Sequence, residues 1–120
     1  DQDNPRLAVV DTKTNKLAPG VALPGIAYGT APTADGRFLI MALPGLNQVG
    51  VLDLQSMEVV RTLDVPKSPQ EVLVRPDGRV AYVSCDASGQ VAVIDLVEWK
   101  VERLIQAGPM ADGLAWAAQP

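Results

Sequence analysis

The sequence repeats itself with a period of 42 residues, and this repeat restricts the possible folds more than any other feature. Asp11, Asp53 and Asp95 fall in one column of the repeat. The triplet Asp35-Gly36-Arg37 returns as Asp77-Gly78-Arg79, and the two columns before the aspartates also agree in type: Val9, Val51 and Val93, then Val10, Leu52 and Ile94. A fixed period of roughly 20 to 50 residues is typical of proteins built from tandem structural units.

Each unit contains short β-type runs separated by turn signals. In residues 69–95 the runs 72–74, 80–84 and 91–94 are divided by a Pro-Asp-Gly-Arg turn and by a second polar turn. Residues 59–64 and 101–106 alternate apolar and charged residues, which is typical of protected edge strands. Each unit therefore predicts four strands, and residues 113–117 predict the first strand of a further unit.

Four antiparallel strands in roughly 40 to 50 residues is the pattern of a β-propeller blade. The predicted fold class is all-β, with about 2.9 repeats that leave the ring incomplete unless the chain oligomerises or belongs to a longer one. Residues 1–22 are the end of a first blade, 23–64 and 65–106 are full blades, and 107–120 begin the next. We expect a truncated or designed fragment rather than a complete natural protein.

The composition excludes several classes of function. A net charge of −4 without any basic cluster argues against nucleic-acid binding. The longest apolar run, residues 38–43, is far below the roughly 20 residues of a membrane helix. The chain has no histidine and no Cys/His cluster, so we expect no catalytic residue, metal or cofactor. The single Cys85 cannot form an internal disulfide and is predicted to be a small apolar residue at a strand end.

The repeat aspartates have a structural interpretation. Because all three precede a polar turn, we expect each carboxylate to close that turn through backbone N–H bonds. Trp116 aligns with Val74 and is predicted to lie in the core. Trp99 begins an outer strand, where it could anchor an interface or pack on its own sheet.

The segment 68–84, SPQEVLVRPDGRVAYVS, resembles the Pro-x-x-Val…Ser-Pro-Asp-Gly…Tyr-Val-x-Asn core of the YVTN-type (YncE-like) bacterial β-propeller repeats. Residues 91–95, VAVID, are similar to the closing Val-x-Val-Ile-Asp of that family. The chain departs from the pattern at Cys85-Asp86, where Asn is usual, and at Leu43-Pro44-Gly45. The resemblance implies an exported bacterial protein, periplasmic or extracellular, rather than any one activity.

Propellers usually bind ligands at the loops around the channel mouth, since variable loops on a rigid scaffold carry binding residues. The repeat places Tyr28, Gln70 and Asp112 at equivalent positions around the channel mouth, and Glu71 directly follows Gln70. Lys67 and Asp86 lie in adjacent loops. These six residues are the predicted binding residues.

Two functions follow from this reading. The leading hypothesis is a non-catalytic scaffold or protein/peptide interaction module that self-associates through open blade edges, with a homodimer favoured. The remaining blades of a parent chain are the other expected partner. The alternative is a fragment of a propeller enzyme, lactonase-like or haem-dependent, with its catalytic residues in absent blades.

Overall fold

Within residues 4–118, which the computed structural model describes, ten β-strands form three antiparallel sheets. Helical structure in this part of the chain consists of two 3-10 turns of three residues each, Pro44–Leu46 and Asp86–Ser88, so no helix there could cross a membrane. The strands are β1 (Arg6–Asp11), β2 (Lys16–Ala22), β3 (Thr30–Pro32), β4 (Phe38–Leu43), β5 (Gln48–Asp53), β6 (Glu58–Asp64), β7 (Pro69–Val74), β8 (Val80–Cys85), β9 (Gln90–Asp95) and β10 (Lys100–Gln106).

The strands pair in chain order. β1 and β2 form a hairpin, β3 to β6 form a four-stranded sheet, and β7 to β10 form a second four-stranded sheet. We call these units the hairpin, the middle blade and the last blade. The all-β fold of four-stranded antiparallel blades is confirmed. The division of the chain into domains at residues 22, 64 and 106 stays a prediction.

The three repeat aspartates close their turns in the same way. In each turn, Oδ1 accepts a bond of 2.8 Å from the backbone N–H two residues later: Lys13 to Asp11, Gln55 to Asp53 and Val97 to Asp95. Two residues beyond each donor the backbone is left-handed, with φ of 55° at Asn15, 58° at Met57 and 57° at Trp99. Since such angles are uncommon for residues other than glycine, the shared geometry confirms the predicted turn-closing role.

The blades pack face to face. We call the side of a blade that lies toward the following blade in the chain its forward face, and the opposite side its back face. Because strand side chains alternate between faces, each blade can bury both. The forward face of the middle blade packs on the back face of the last blade through Ile40, Ala42, Val49, Ala81, Val83 and Ile94. The back face of the middle blade packs on the hairpin through Met41, Leu52 and Val21.

The strand predicted at residues 113–117 does not form, and residues 107–118 contain no strand in the structure. A first strand of a blade pairs with the second strand of that blade, and the described residues supply no such partner. The prediction that Trp116 lies in the core is wrong for the same reason: the residue is 50% exposed. In contrast, β2 forms despite Pro19. In the described part of the chain its one partner strand is β1, and a proline on an edge strand breaks no second ladder.

Cys85 ends β8 and is completely buried, as expected of a small apolar residue at a strand end. Its neighbour in the strand, Ser84, is also buried, and its Oγ accepts a 3.2 Å bond from the N–H of Glu71. Between residues 4 and 118 no buried side-chain nitrogen or oxygen lacks a hydrogen-bond partner.

Candidate functional site

A groove opens where the inner strands of the middle and last blades meet. We call it the mouth groove, and it is lined by Ile26, Tyr28, Pro44, Gly45, Ser68 and Gln70. Three segments supply these residues: the connection after the hairpin, the first 3-10 turn, and the loop that enters β7. The side chain of Tyr28 is 61% exposed and that of Ile26 is 40% exposed, so an aromatic ring and an aliphatic side chain both face solvent.

The Ser68 loop is held from both blades. The backbone N–H of Ser68 donates to Oδ1 of Asn47 at 2.9 Å, and its carbonyl accepts from the N–H of Asp86 at 3.1 Å. Nε2 of Gln70 donates to Oγ of Ser68 at 2.9 Å. Ser68 is left-handed, with a φ of 62°. These bonds fix the loop, so this wall of the groove is pre-formed.

The two blades approach each other closely at Gly29. Its N–H donates to the carbonyl of Gln70 at 2.8 Å, and its own carbonyl accepts from the N–H of Ala42 at 2.9 Å. A Cβ atom on Gly29 would lie 2.8 Å from the Cα of Glu71, a backbone atom that cannot swing aside. The absence of a side chain at residue 29 therefore permits a backbone hydrogen bond between blades.

The structure brings some of the predicted binding residues together. Tyr28 and Gln70 both line the mouth groove, and Glu71 lies directly behind Gly29. Asp86 touches the groove only through its backbone bond to Ser68. The side chain of Lys67 is exposed in the loop, and Asp112 is exposed in the strand-free segment without lining this groove.

Sequence reasoning missed Ile26, Pro44, Gly45 and Ser68. Ile26 and Pro44 have no signal in the repeat, because residues of different type occupy their columns. Ser68 shares its column with Ile26 and Met110, so residue type gives no signal for it either. Its one local mark in the sequence is that it immediately precedes the Pro69 that begins β7.

A second groove lies one repeat further along the chain. It is lined by Asp86, Ala87, Ser88, Gly89, Gln106, Gly108, Pro109 and Met110. Its Asp86, Ala87 and Met110 occupy the columns of Pro44, Gly45 and Ser68 in the mouth groove. The position recurs while its chemistry changes, as expected of loops carried by a repeated scaffold.

The carboxylates whose pKa is lowered lie in turns rather than in either groove. The Arg37 guanidinium lowers the pKa of Asp53, and that of Arg75 lowers the pKa of Asp77. Hydrogen bonds from Thr33 lower the pKa of Asp35. The N–H groups of Glu98 and Val97 lower the pKa of Asp95. These carboxylates are held ionised as turn closers, and a general acid would need the opposite shift.

The single thiol of the chain, on Cys85, lines neither groove. Burial raises the pKa of the Cys85 thiol to about 11, which leaves it protonated at neutral pH. No group of three or more His, Cys, Asp or Glu residues that could hold a metal occurs between residues 4 and 118.

No protein-family model matches the chain. It is 31% identical over 85 residues, 70% of its length, to the uncharacterized protein YncE of Salmonella typhi, and equally to that of Salmonella typhimurium. The chain belongs to the YncE-like family of β-propeller proteins. This YncE-like chain spans about a quarter, 24%, of the length of these curated relatives.

Solved structures share its fold. Hydrazine synthase of Kuenenia stuttgartiensis matches 88% of the YncE-like chain with a TM-score of 0.83 and 28% identity, over 31% of its own chain. The dihydro-heme d1 dehydrogenase NirN, in complex with DHE, matches 88% with a TM-score of 0.74 and 18% identity, over 23% of its chain. Apo AztD of Citrobacter koseri matches 91% with a TM-score of 0.77 and 15% identity, over 31% of its chain.

Proposed function

We propose that this YncE-like chain is a non-catalytic propeller module that binds a protein or peptide segment at the mouth groove and self-associates through its open blade edges. The observation that carries the binding proposal is the exposed ring of Tyr28, which shares a groove with the amide of Gln70. A ring of this kind offers a large apolar contact with a polar tip, the combination enriched at binding interfaces.

The groove suits a peptide better than a small polar metabolite. Ile26 and Pro44 supply apolar surface beside Tyr28, while the side-chain amide of Gln70 can pair with a peptide backbone. The loop is already fixed by its bonds to Asn47 and Asp86, so binding would cost little ordering of the protein. Glu71 and Lys67 would lie at the margin of such a contact, and Asp112 would belong to the corresponding position one repeat later.

The binding proposal is tested by panning a displayed library of random peptides against the immobilised chain. Selected peptides are synthesised and titrated against Tyr28→Ala and Gln70→Ala variants by calorimetry. We expect each variant to weaken binding by about tenfold or more, because each removes a central contact. Trp116→Ala is the control, since Trp116 is an exposed aromatic outside the groove. Peptides that bind both groove variants as well as the parent chain would contradict the proposal.

Self-association is supported by the open edge of the hairpin. Among residues 4–118, β1 pairs with β2 alone, whereas its equivalents β5 and β9 are paired on both sides. An unpaired strand edge is a template for another chain. A homodimer is the simplest such species, and blades of a longer parent chain could fill the same place. Following its family resemblance, we assign the protein to the bacterial periplasm or exterior.

A second candidate is a segment of a propeller enzyme. The observation that favours it is the 28% identity to hydrazine synthase across 88% of the chain. In that case catalytic groups would come from blades beyond these 120 residues and would face the same channel as the mouth groove. A longer natural chain with histidines or paired carboxylates in equivalent mouth loops, whose substitution abolishes turnover, would support the enzyme. Mouth loops without such groups would oppose it.

A further inference from the structure

Two Asp-Gly dipeptides form the same turn in successive blades. Asp35-Gly36 joins β3 to β4, and Asp77-Gly78 joins β7 to β8. In each turn Oδ1 of the aspartate accepts a 3.0 Å bond from the backbone N–H two residues later. The glycine is left-handed in both, with φ of 71° and 73°. The two backbones are therefore alike, and the turns differ in the side chains that hold the aspartates.

An Asp-Gly dipeptide is a site of spontaneous chemistry. The glycine nitrogen attacks Cγ of the protonated carboxyl group: an N–Cγ bond forms, the nitrogen loses its proton, and a C–O bond breaks to release water. Water then opens the five-membered imide at either carbonyl. The product is aspartate again, or isoaspartate, whose main chain runs through the side-chain methylene. Glycine obstructs the attack least, because it has no side chain.

The folded turn of the middle blade withholds both reactants. The N–H of Gly36 donates to the carbonyl of Thr33 at 2.9 Å, so this nitrogen is engaged. The carboxylate of Asp35 accepts from the hydroxyl of Thr33 and from the N–H of Arg37, and both bonds favour the ionised form, which the reaction cannot use. Isomerisation therefore requires the turn to open, and its rate should follow the population of the open turn.

Thr33 holds this turn from inside the blade. Its side chain is buried, and its Oγ1 donates to Oδ1 of Asp35 at 2.7 Å and accepts from the N–H of Phe38 at 3.0 Å. The hydroxyl thus connects the carboxylate to the first residue of β4. In the last blade the same column is Arg75, which pairs with Asp77 at the surface, with side chains 32% and 47% exposed. Exposed ion pairs contribute little to stability.

We propose that Asp35-Gly36 is a latent site of isoaspartate formation, which the buried hydroxyl of Thr33 keeps unreactive in the folded chain. Asp35 and Gly36 are both exposed, so water reaches the dipeptide without further unfolding. The step that the fold controls is then the opening of the turn, and Thr33 is the residue that sets how often it opens.

The modification would reach the contact between the blades. Isoaspartate adds one carbon to the main chain and moves the carboxylate that accepts from the N–H of Arg37. The longer turn should displace Phe38, which is bonded to Thr33 and whose ring lies 5.4 Å from that of Trp99 in the last blade. Isoaspartate at residue 35 should therefore loosen the packing of the middle blade on the last blade.

The test is the ageing of the parent chain, Thr33→Val and Thr33→Ser in heavy-oxygen water at neutral pH. Trypsin releases the two dipeptides in separate peptides, residues 17–37 and 68–79, and chromatography with mass spectrometry separates their isoaspartate forms. Each passage through the imide incorporates one solvent oxygen, which marks the pathway. Thr33→Val should form isoaspartate at residue 35 about tenfold faster than the parent, because a hydrogen bond to a charged group is lost. Thr33→Ser keeps the hydroxyl and should age like the parent.

The turn of the last blade is the internal control. Thr33→Val should leave the rate at Asp77 unchanged. In guanidinium chloride all three chains should convert at Asp35 at one rate, at least about tenfold above that of the folded parent. A folded Thr33→Val chain that ages like the parent would overturn the proposal, as would an equal rise at Asp35 and Asp77. A folded parent that converts at Asp35 as fast as the unfolded chain would also overturn it.

Discussion

The ring of Trp99, in the outer turn of the last blade, meets the ring of Phe38, at the start of β4 in the middle blade, at an interplanar angle of 76°. This edge-to-face pair joins two blades rather than two strands of one sheet. Such pairs contribute about 0.5 to 1.5 kcal/mol beyond the apolar area that they bury. Of the two roles open to Trp99 from the sequence, the structure shows contact across the interface between blades.

Removal of this ring should loosen the contact between blades. Trp99→Ala is expected to lower the free energy of unfolding by about 2 to 3 kcal/mol, below the full range for a buried tryptophan because Trp99 is only half-buried. Urea denaturation measures the change. The control is Trp116→Ala, which should stay within about 0.5 kcal/mol since that ring is exposed. Equal losses for the two variants would contradict the assigned packing.

Gly29 should tolerate no side chain. Gly29→Ala brings a methyl group against the backbone of Gln70 and Glu71, so we expect a loss of about 1 to 3 kcal/mol through overpacking. Gly45→Ala is the matched control, because a Cβ on Gly45 meets nothing within 4 Å. Urea denaturation of both variants tests the close approach. A Gly29→Ala chain as stable as Gly45→Ala would show that the blades are further apart than described.

Acid should weaken the turns. The Arg37 guanidinium and the N–H of Gln55 lower the pKa of Asp53 below its ordinary value of 3.8. A carboxylate with a lowered pKa in the folded state contributes stability above about pH 4, and this contribution is lost as the pH falls through the lowered pKa. Between pH 7 and pH 2 the melting temperature of the parent chain should therefore fall more steeply with decreasing pH than that of the Asp53→Asn variant.

The control for this pH profile is Asp112→Asn, which also removes one negative charge but from the exposed strand-free segment. It should reproduce the parent profile. A profile of Asp53→Asn that also coincides with the parent chain would mean that the pair of Arg37 and Asp53, 3.2 Å apart, contributes nothing to folding.

The Cys85 thiol should be unreactive toward thiol reagents in the folded protein. It is fully buried, and burial raises its pKa to about 11. At pH 7.5 we expect a disulfide-exchange reagent such as Ellman's to react more than about a hundredfold more slowly with the native chain than with the urea-unfolded chain. Equal rates would place Cys85 at the surface.

The features that sequence reasoning predicted are those with a local cause. Asp53 and Asp95 close turns through bonds to residues two positions away, and a repeat of 42 residues copies such bonds without reference to the rest of the fold. The alternating strands are equally local. This is why the number of strands in each blade could be read from one repeat.

The features that it did not predict depend on a partner elsewhere in the chain. Gly29 looks like any turn glycine until Glu71 is placed behind it. Residues 113–117 have a strand-like sequence, but strand formation needs a neighbouring strand, and Trp116 is exposed as a result. Part of the mouth groove escaped prediction for a similar reason: Pro44 and Ser68 lie 24 positions apart and meet only when two blades pack.

The central proposal is that this chain self-associates through its open blade edges. Light scattering coupled to size exclusion tests it most directly, over a range of loading concentrations. The account predicts a molar mass that rises with concentration above the 12.7 kDa of one chain, toward a dimer or a larger species. A mass that stays at 12.7 kDa into the high micromolar range would contradict it.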